Sequence, residues 1–275
     1  MTIKANHRIQ LVATDVDGTL LNDDDKISPE NLAAIERARA AGVKVTIATG
    51  RSHYFLSHVT DQFTPDTPIV AASGSCTVDL AANKMIDFRT LPIEAVEAVI
   101  RIAREYETGR FVSLLEYFYF ETTASLRDRF NYVFTHEMDI RLSPDVLAEK
   151  LIDPIKIAIY NDQRPVLEEI SARLKAEVGG LTVRFPTPVF IDVTAAEANK
   201  GAALRRLAER EGIPLANILV LGDGNNDVDM FDVAGTSVAM GNAVPELKAA
   251  ADYIAPTNNE NGFAWALNQL LETGS

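Results

Sequence analysis

Two aspartates at the end of an apolar run constrain this chain more than any other feature. The run covers residues 9–14 and leads into Asp15, Asp17 and the pair Gly18-Thr19, which is typical of a parallel strand ending in a tight functional loop. Two carboxylates about 4 Å apart repel each other by roughly 4 kcal/mol at an effective dielectric constant of 20. A hard divalent cation with oxygen ligands, such as Mg²⁺, would offset that repulsion. The alternative is a strand that simply ends in a polar turn, because a short motif is only a hypothesis.

Three further apolar runs end in polar residues. They are residues 43–48 before Thr49, Gly50 and Arg51, residues 69–72 before Ser73, and residues 218–221 before a loop with Asp223, Asn226 and Asp227. Helical patterns separate these runs, which predicts a doubly wound α/β fold with a parallel sheet, and residues 236–240 are expected to close that sheet. Open sheets of this kind bind ligands at the carboxyl ends of their strands. Thr49 could bind an anion there, or it could be an ordinary helix cap.

Lys200 lies at the predicted start of an apolar helix. The helix macrodipole disfavours a cation at that end by about 0.3–1 kcal/mol. Local rules that are broken near a suspected site indicate function. The alternative is a lysine on the protein surface.

Residues 83–190 differ in pattern from the rest of the chain and are rich in aromatic residues. The predicted elements are strands at 84–88, 155–160 and 181–185, two strands or a hairpin at 111–121, and helices at 92–106, 126–134 and 166–176. This pattern indicates an inserted α+β module, between core segments 1–82 and 191–275. We expect most of its aromatic residues to form a small core, with one or two left for substrate contact.

Charge and composition exclude some functions. The formal net charge of −13 argues against binding to nucleic acid or to an anionic membrane surface, since both rely on clustered Lys and Arg. Cys76 is the single cysteine and is expected in or near the core. Asp23, Asp24 and Asp25 lack the glycine and distal glutamate of a calcium loop, so a solvated loop is favoured. No apolar stretch is long enough to span a membrane, and the expected location is the cytoplasm.

Together these features resemble the haloacid dehalogenase superfamily of phosphohydrolases. The motifs are D-V-D-G-T-L at 15–20, A-T-G-R at 48–51, Lys200, and G-D-G-N-N-D-x-x-M at 222–230. The insertion between the second and third motifs resembles the Cof-type branch with its α+β cap. One departure is Ser73-Gly74-Ser75, where the branch commonly has Asn-Gly-Ala.

The resemblance implies phosphoryl transfer. Asp15 would be the nucleophile that forms an aspartyl-phosphate. Asp17 would exchange protons with the leaving alcohol and with water, for which it needs a raised pKa, plausible beside other carboxylates. Mg²⁺ would be held by the Asp15 carboxylate, the Asp17 carbonyl and Asp223, with Asp227 either as a further ligand or in a supporting position next to the ligands. The transferring phosphoryl group would bind Thr49, Lys200, Asn226 and the amides of Val16 and Gly50.

The resulting hypothesis is a Mg²⁺-dependent phosphatase for small phosphorylated metabolites, either sugar phosphates or a phosphorylated cofactor. The cap would exclude water and select the leaving group, with Tyr117, Tyr119, Arg127 and Arg184 as possible contacts. The alternatives are a phosphosugar mutase and a non-catalytic protein that binds a metal or a phosphometabolite. The oligomeric state is open.

Overall fold

The computed structural model describes residue 3, residues 7–121 and residues 140–273. The predicted helix at 126–134 and the candidate contact Arg127 lie outside the described residues. The chain divides into two compact units, Met1–Asp87 with Asn199–Ser275 and Phe88–Ala198. These junctions fall a few residues after the expected boundaries at 82 and 190.

The elements of both units are numbered in chain order over the described residues. The strands are β1 (Leu11–Thr14), β2 (Lys44–Ile47), β3 (Ile69–Ala71), β4 (Cys76–Asp79), β5 (Lys84–Phe88), β6 (Gly109–Ser113), β7 (Phe118–Glu121), β8 (Ile140–Leu142), β9 (Lys156–Tyr160), β10 (Leu181–Thr187), β11 (Phe190–Ala195), β12 (Ile218–Gly222), β13 (Thr236–Ala239) and β14 (Tyr253–Ile254). The α-helices are α1 (Pro29–Ala40), α2 (Ser57–Thr60), α3 (Ile93–Arg104), α4 (Arg164–Glu177), α5 (Lys200–Glu211), α6 (Val228–Phe231), α7 (Pro245–Ala250) and α8 (Gly262–Thr273). Within this described part of the chain, no helix has the length and apolar character needed to cross a bilayer.

A parallel sheet organises the first unit. Its strand order is β14-β13-β12-β1-β2, and Leu11 in β1 is opposite Ile218 on one side and Lys44 on the other. Both β1 and β12 are buried along their whole length, as expected of central strands covered on both faces. The carboxyl ends of β1, β2 and β12 are therefore neighbours, and the polar motifs that follow these strands lie together at this side of the sheet. The expectation that residues 236–240 close the sheet is wrong, because β14 pairs with β13 outside it.

The third predicted strand, β3, belongs mainly to a separate small sheet of order β3-β4-β5. It pairs antiparallel with β4, and a parallel bridge between Ala48 and Val70 connects it to the residue that follows β2. Cys76 begins β4 and is fully buried, which confirms its expected place in the core.

The second unit is an α+β body with its own core. Its strands have the order β10-β11-β9-β6-β7-β8, and neighbouring strands are antiparallel except β7 and β8, which are parallel. Apolar residues of α3, α4 and these strands form one buried cluster, which includes Tyr119. Tyr117 packs edge-on against Tyr119. These two tyrosines therefore contribute to packing, as the core interpretation of the aromatic residues predicts.

Candidate active site

Asp15 follows β1 directly and lies almost wholly inside the protein. Its side chain is buried, and its Oδ1 accepts a hydrogen bond of 2.7 Å from the amide of Val16. The chain then turns through Gly18, whose φ is +69°. A Cβ at Gly18 would lie 2.3 Å from Oδ2 of Asp223, so only glycine allows both the left-handed backbone and this close approach.

Lys200 is the first residue of α5 and reaches into the site rather than into solvent. Asn199 caps the helix by accepting a 2.7 Å hydrogen bond from the amide of Ala202. The Lys200 ammonium is buried and lies 2.9 Å from Oδ1 of Asp15 and 2.7 Å from Oδ1 of Asp227. The alternative interpretation of Lys200 as a surface residue is wrong, because its burial is nearly complete.

The loop after β12 supplies the other two carboxylates. Asp227 Oδ2 accepts hydrogen bonds from the amides of Asp223 and Gly224, at 3.0 and 2.9 Å. Asp223 Oδ1 accepts a hydrogen bond of 3.0 Å from the Thr19 hydroxyl. Thr19 therefore links the first and fourth motifs, a role that the sequence did not reveal.

The carboxylates of Asp15, Asp223 and Asp227 form one cluster, whose ligand oxygens lie within 4.8 Å of one another. Burial and the neighbouring charge of Asp227 raise the pKa of Asp15, although Lys200 opposes this. Burial and Asp227 also raise the pKa of Asp223, to about 7. For Lys200, burial lowers the pKa, but Asp15 and Asp227 outweigh it and raise the pKa above its ordinary value.

This excess of negative charge fits a hard divalent cation. One ammonium group faces three carboxylates, and their oxygens are ligands of the kind that Mg²⁺ prefers. Because a cation would favour the ionised carboxylates, it would oppose the effects of burial and of Asp227 and lower the pKa values of Asp15 and Asp223. The structure thus brings together the three aspartates whose carboxylates are expected near the metal, whereas the ligand expected from Asp17 is its backbone carbonyl.

The Asp17 carboxylate, which is expected to transfer protons rather than to bind the metal, lies outside this cluster. About half of the side chain is exposed, and both oxygens contact the guanidinium of Arg51. Asp17 was expected beside other carboxylates, and the structure adds this cationic partner. The sequence offered one signal, since Arg51 stands in the same motif as Thr49, but no local pattern shows how far an arginine reaches.

The residues expected to bind phosphate lie around the same strand ends. Thr49 is buried, and its hydroxyl accepts a 3.1 Å hydrogen bond from the Arg51 amide. It does not cap a helix, because the next helical turn begins at His53 with Ser52 at its N-cap. A Cβ at Gly50 would lie 3.4 Å from Nδ2 of Asn226 and 3.5 Å from Oγ of Ser73. The second motif, the β3 end and the loop after β12 therefore meet at Gly50.

Comparison with known proteins identifies the family. The model of the haloacid dehalogenase-like hydrolases matches residues 12–267. The chain belongs to this family. Its relatives include a 5-amino-6-(5-phospho-D-ribitylamino)uracil phosphatase of Bacillus subtilis, which is 30% identical over 96% of each chain. A pyridoxal phosphate phosphatase of Escherichia coli is 26% identical over 93% of this chain and 96% of its own.

Solved structures agree with this assignment. A haloacid dehalogenase-like hydrolase from Bacteroides thetaiotaomicron superposes with a TM-score of 0.81 at 27% identity, over 96% of this chain and 100% of its own. The family and fold class predicted from the sequence are confirmed. The predicted enzyme class, a phosphatase, agrees with the names of the relatives of this haloacid dehalogenase-like hydrolase.

Proposed function

We propose that this haloacid dehalogenase-like hydrolase is a Mg²⁺-dependent phosphatase that acts on small phosphorylated metabolites through an aspartyl-phosphate. The observation that carries the proposal is the buried Asp15 carboxylate, which lies 2.9 Å from the Lys200 ammonium and within the cluster that includes Asp223 and Asp227. A nucleophile, a fixed cation and ligands for a second cation thus share one strand edge.

The first half of the reaction would form the intermediate. An Asp15 oxygen attacks phosphorus, the bond from phosphorus to the ester oxygen breaks, and Asp17 gives its proton to the departing alcohol. Lys200, the Thr49 hydroxyl, the Asn226 amide and the amides of Val16 and Gly50 would bind the phosphoryl oxygens. Such preorganised donors stabilise the charge that develops in the transition state.

The second half would restore the enzyme. Asp17, now a carboxylate, takes a proton from water as the water oxygen attacks the phosphorus of the aspartyl-phosphate. The bond between phosphorus and Asp15 then breaks, and inorganic phosphate leaves. Mg²⁺ held by Asp15, the Asp17 carbonyl, Asp223 and Asp227 would supply positive charge beside the transferring group.

The relatives indicate the substrate class. One is named for a phosphoribityl compound and another for pyridoxal phosphate, and both names describe a phosphate monoester on a small metabolite. We propose a substrate of this class. Action in the cytoplasm and the role of the second unit as a cap that selects the leaving group stay predictions.

The test is phosphate release from a panel of sugar phosphates, nucleotides, flavin mononucleotide and pyridoxal phosphate, with and without Mg²⁺. Asp15→Asn should abolish release and Asp17→Asn should nearly abolish it, because each removes a reacting group while preserving side-chain shape. Asp24→Asn is the matched control, since Asp24 is exposed on the following turn, and it should keep full activity. Release that persists in Asp15→Asn would refute the assignment of the nucleophile.

The same panel separates the two alternatives. A mutase would release little phosphate and would be activated by a bisphosphorylated sugar. A binding protein would bind Mg²⁺ and a phosphate mimic without turnover of any compound. Metal-dependent release that is lost in Asp15→Asn supports the phosphatase.

A further inference from the structure

Arg51 is fixed in the first unit through its own backbone. Its amide donates a 3.1 Å hydrogen bond to the Thr49 hydroxyl, and its carbonyl accepts a 2.7 Å hydrogen bond from the amide of Ala72. The ends of β2 and β3 therefore determine where the Arg51 side chain begins.

The guanidinium of Arg51 holds the Asp17 carboxylate at two points. Nε donates to Oδ2 at 2.8 Å, and Nη2 donates to Oδ1. Two parallel hydrogen bonds between a planar guanidinium and a carboxylate specify orientation as well as distance. A lysine ammonium is a point charge and cannot reproduce this geometry.

Two other residues contact the same guanidinium. Nη1 lies 3.2 Å from Nε2 of His58, and Nη2 lies 3.5 Å from Oδ1 of Asp25. The Arg51 side chain is about three-quarters buried, whereas about half of the Asp17 side chain is exposed. The arginine is thus the more constrained partner, and it orients the aspartate.

This orientation matters because the proposed roles of Asp15 and Asp17 require their carboxylates to lie at different positions around the phosphorus atom. The Asp15 carboxylate belongs to the cluster with Asp223 and Asp227, and that cluster does not include Asp17. In an in-line displacement, the leaving oxygen departs from the face of phosphorus opposite the nucleophile. A proton donor must therefore be kept away from the nucleophile and held within hydrogen-bond reach of that oxygen.

We propose that Arg51 is a positioning residue for proton transfer, which holds the Asp17 carboxylate in the orientation that serves the leaving group. The inference rests on the proposed function of Asp17. It predicts that Arg51 acts only through Asp17, and so its effect on the first half of the reaction depends on how much the leaving group needs a proton.

The test compares two kinds of substrate. The first is the alkyl phosphate of the panel that is hydrolysed fastest, whose leaving oxygen needs a proton to depart as an alcohol. The second is p-nitrophenyl phosphate, which releases a stable phenolate without a proton. Hydrolysis of the aspartyl-phosphate uses Asp17 as a base whatever the substrate, so the rate to compare is that of leaving-group release in a single turnover. Because general acid–base catalysis contributes roughly 10²–10⁴-fold, Arg51→Ala should lower this rate by at least ~10-fold for the alkyl phosphate and by less than ~3-fold for p-nitrophenyl phosphate. Arg51→Lys should resemble Arg51→Ala if two-point geometry is what matters.

Three controls make the result specific. Arg37→Ala removes a surface arginine with a similar two-point contact, to Oδ1 of Asn268, and should change neither rate. Guanidinium at millimolar concentration should restore part of the alkyl phosphatase activity of Arg51→Ala, whereas methylammonium should not. In an Asp17→Asn background, Arg51→Ala should add no further loss.

Equal losses in the single-turnover rate of leaving-group release from the two substrates would overturn the inference, because Arg51 would then act in binding or folding. An additive loss in the Asp17→Asn background would overturn it as well. Failure of the proposed function itself is seen separately, as phosphate release that survives Asp15→Asn.

Discussion

Replacing Lys200 by methionine tests whether the buried ion pairs hold the site together. Lys200 Nζ lies 2.9 Å from Asp15 and 2.7 Å from Asp227, and the lysine side chain is fully buried. At an effective dielectric constant of 20, each contact has a Coulomb energy of about 6 kcal/mol, which desolvation of the charges largely offsets. Removing one partner of a buried pair costs about 3–5 kcal/mol, because the other charges are left uncompensated. We expect the free energy of unfolding of Lys200→Met to fall by that amount.

The assay is urea unfolding in the presence of a chelator, followed by circular dichroism, and then repeated with Mg²⁺. Methionine fills a volume similar to that of the lysine stem, so lost packing adds little to the effect. Phosphatase activity should fall by about 10²–10³-fold, as it does when one preorganised donor to a developing charge is lost.

The matched control is Lys44→Met. Lys44 lies 3.1 Å from Glu211 but about half of its side chain is exposed, and a surface pair of this kind contributes about 0–1 kcal/mol. If Lys200→Met destabilised the protein no more than Lys44→Met, the argument for a charge-compensated buried site would be refuted.

Three other predictions concern a glycine, a histidine and a glutamate. Gly18→Ala should weaken Mg²⁺ binding, measured by calorimetry, because its Cβ would displace Asp223. The control is Gly42→Ala, since Gly42 also has a positive φ but has open space around it. This variant should lose only about 1 kcal/mol of stability and keep its Mg²⁺ affinity. Burial lowers the pKa of His53 to about 4, so between pH 6.5 and pH 4 the unfolded chain binds a proton that the folded protein does not. The free energy of unfolding should therefore fall by up to ~3 kcal/mol as the pH drops through this window. His53→Phe should remove that component of the pH dependence of urea unfolding. Glu121→Gln should lower the melting temperature of the second unit, because the buried carboxylate accepts hydrogen bonds from two arginines and a backbone amide; an unchanged melting temperature would contradict this.

The sequence was sufficient to predict the strand edge on which the site lies. Asp15, Thr49 and Asp223 each follow an apolar run, and parallel strands place their carboxyl ends together. Lys200 was suspected because it stands where a helix dipole disfavours a cation. The close packing of Asp15 and Asp227 around its ammonium explains why that local cost is accepted.

Contacts that depend on the reach of a side chain could not be predicted from sequence. Arg51 contacts Asp17, and Thr19 contacts Asp223 across 204 positions, yet neither pair leaves a periodic signal. The short strand β14 was missed for a different reason. It contains two residues, which is too few for a hydrophobic pattern to be recognised.

The position of β1 between β2 and β12 also determines the order in which the protein can assemble during synthesis. Leu11 pairs with Ile218, and at 5–20 residues per second the ribosome needs about 10–30 s to make the chain between β2 and that partner. The second unit, Phe88–Ala198, is contiguous and emerges complete within this interval. Until β12 is made, the side of the apolar strand β1 that pairs with β12 has no partner strand. The nascent chain is therefore most exposed to aggregation just before β12 leaves the ribosome.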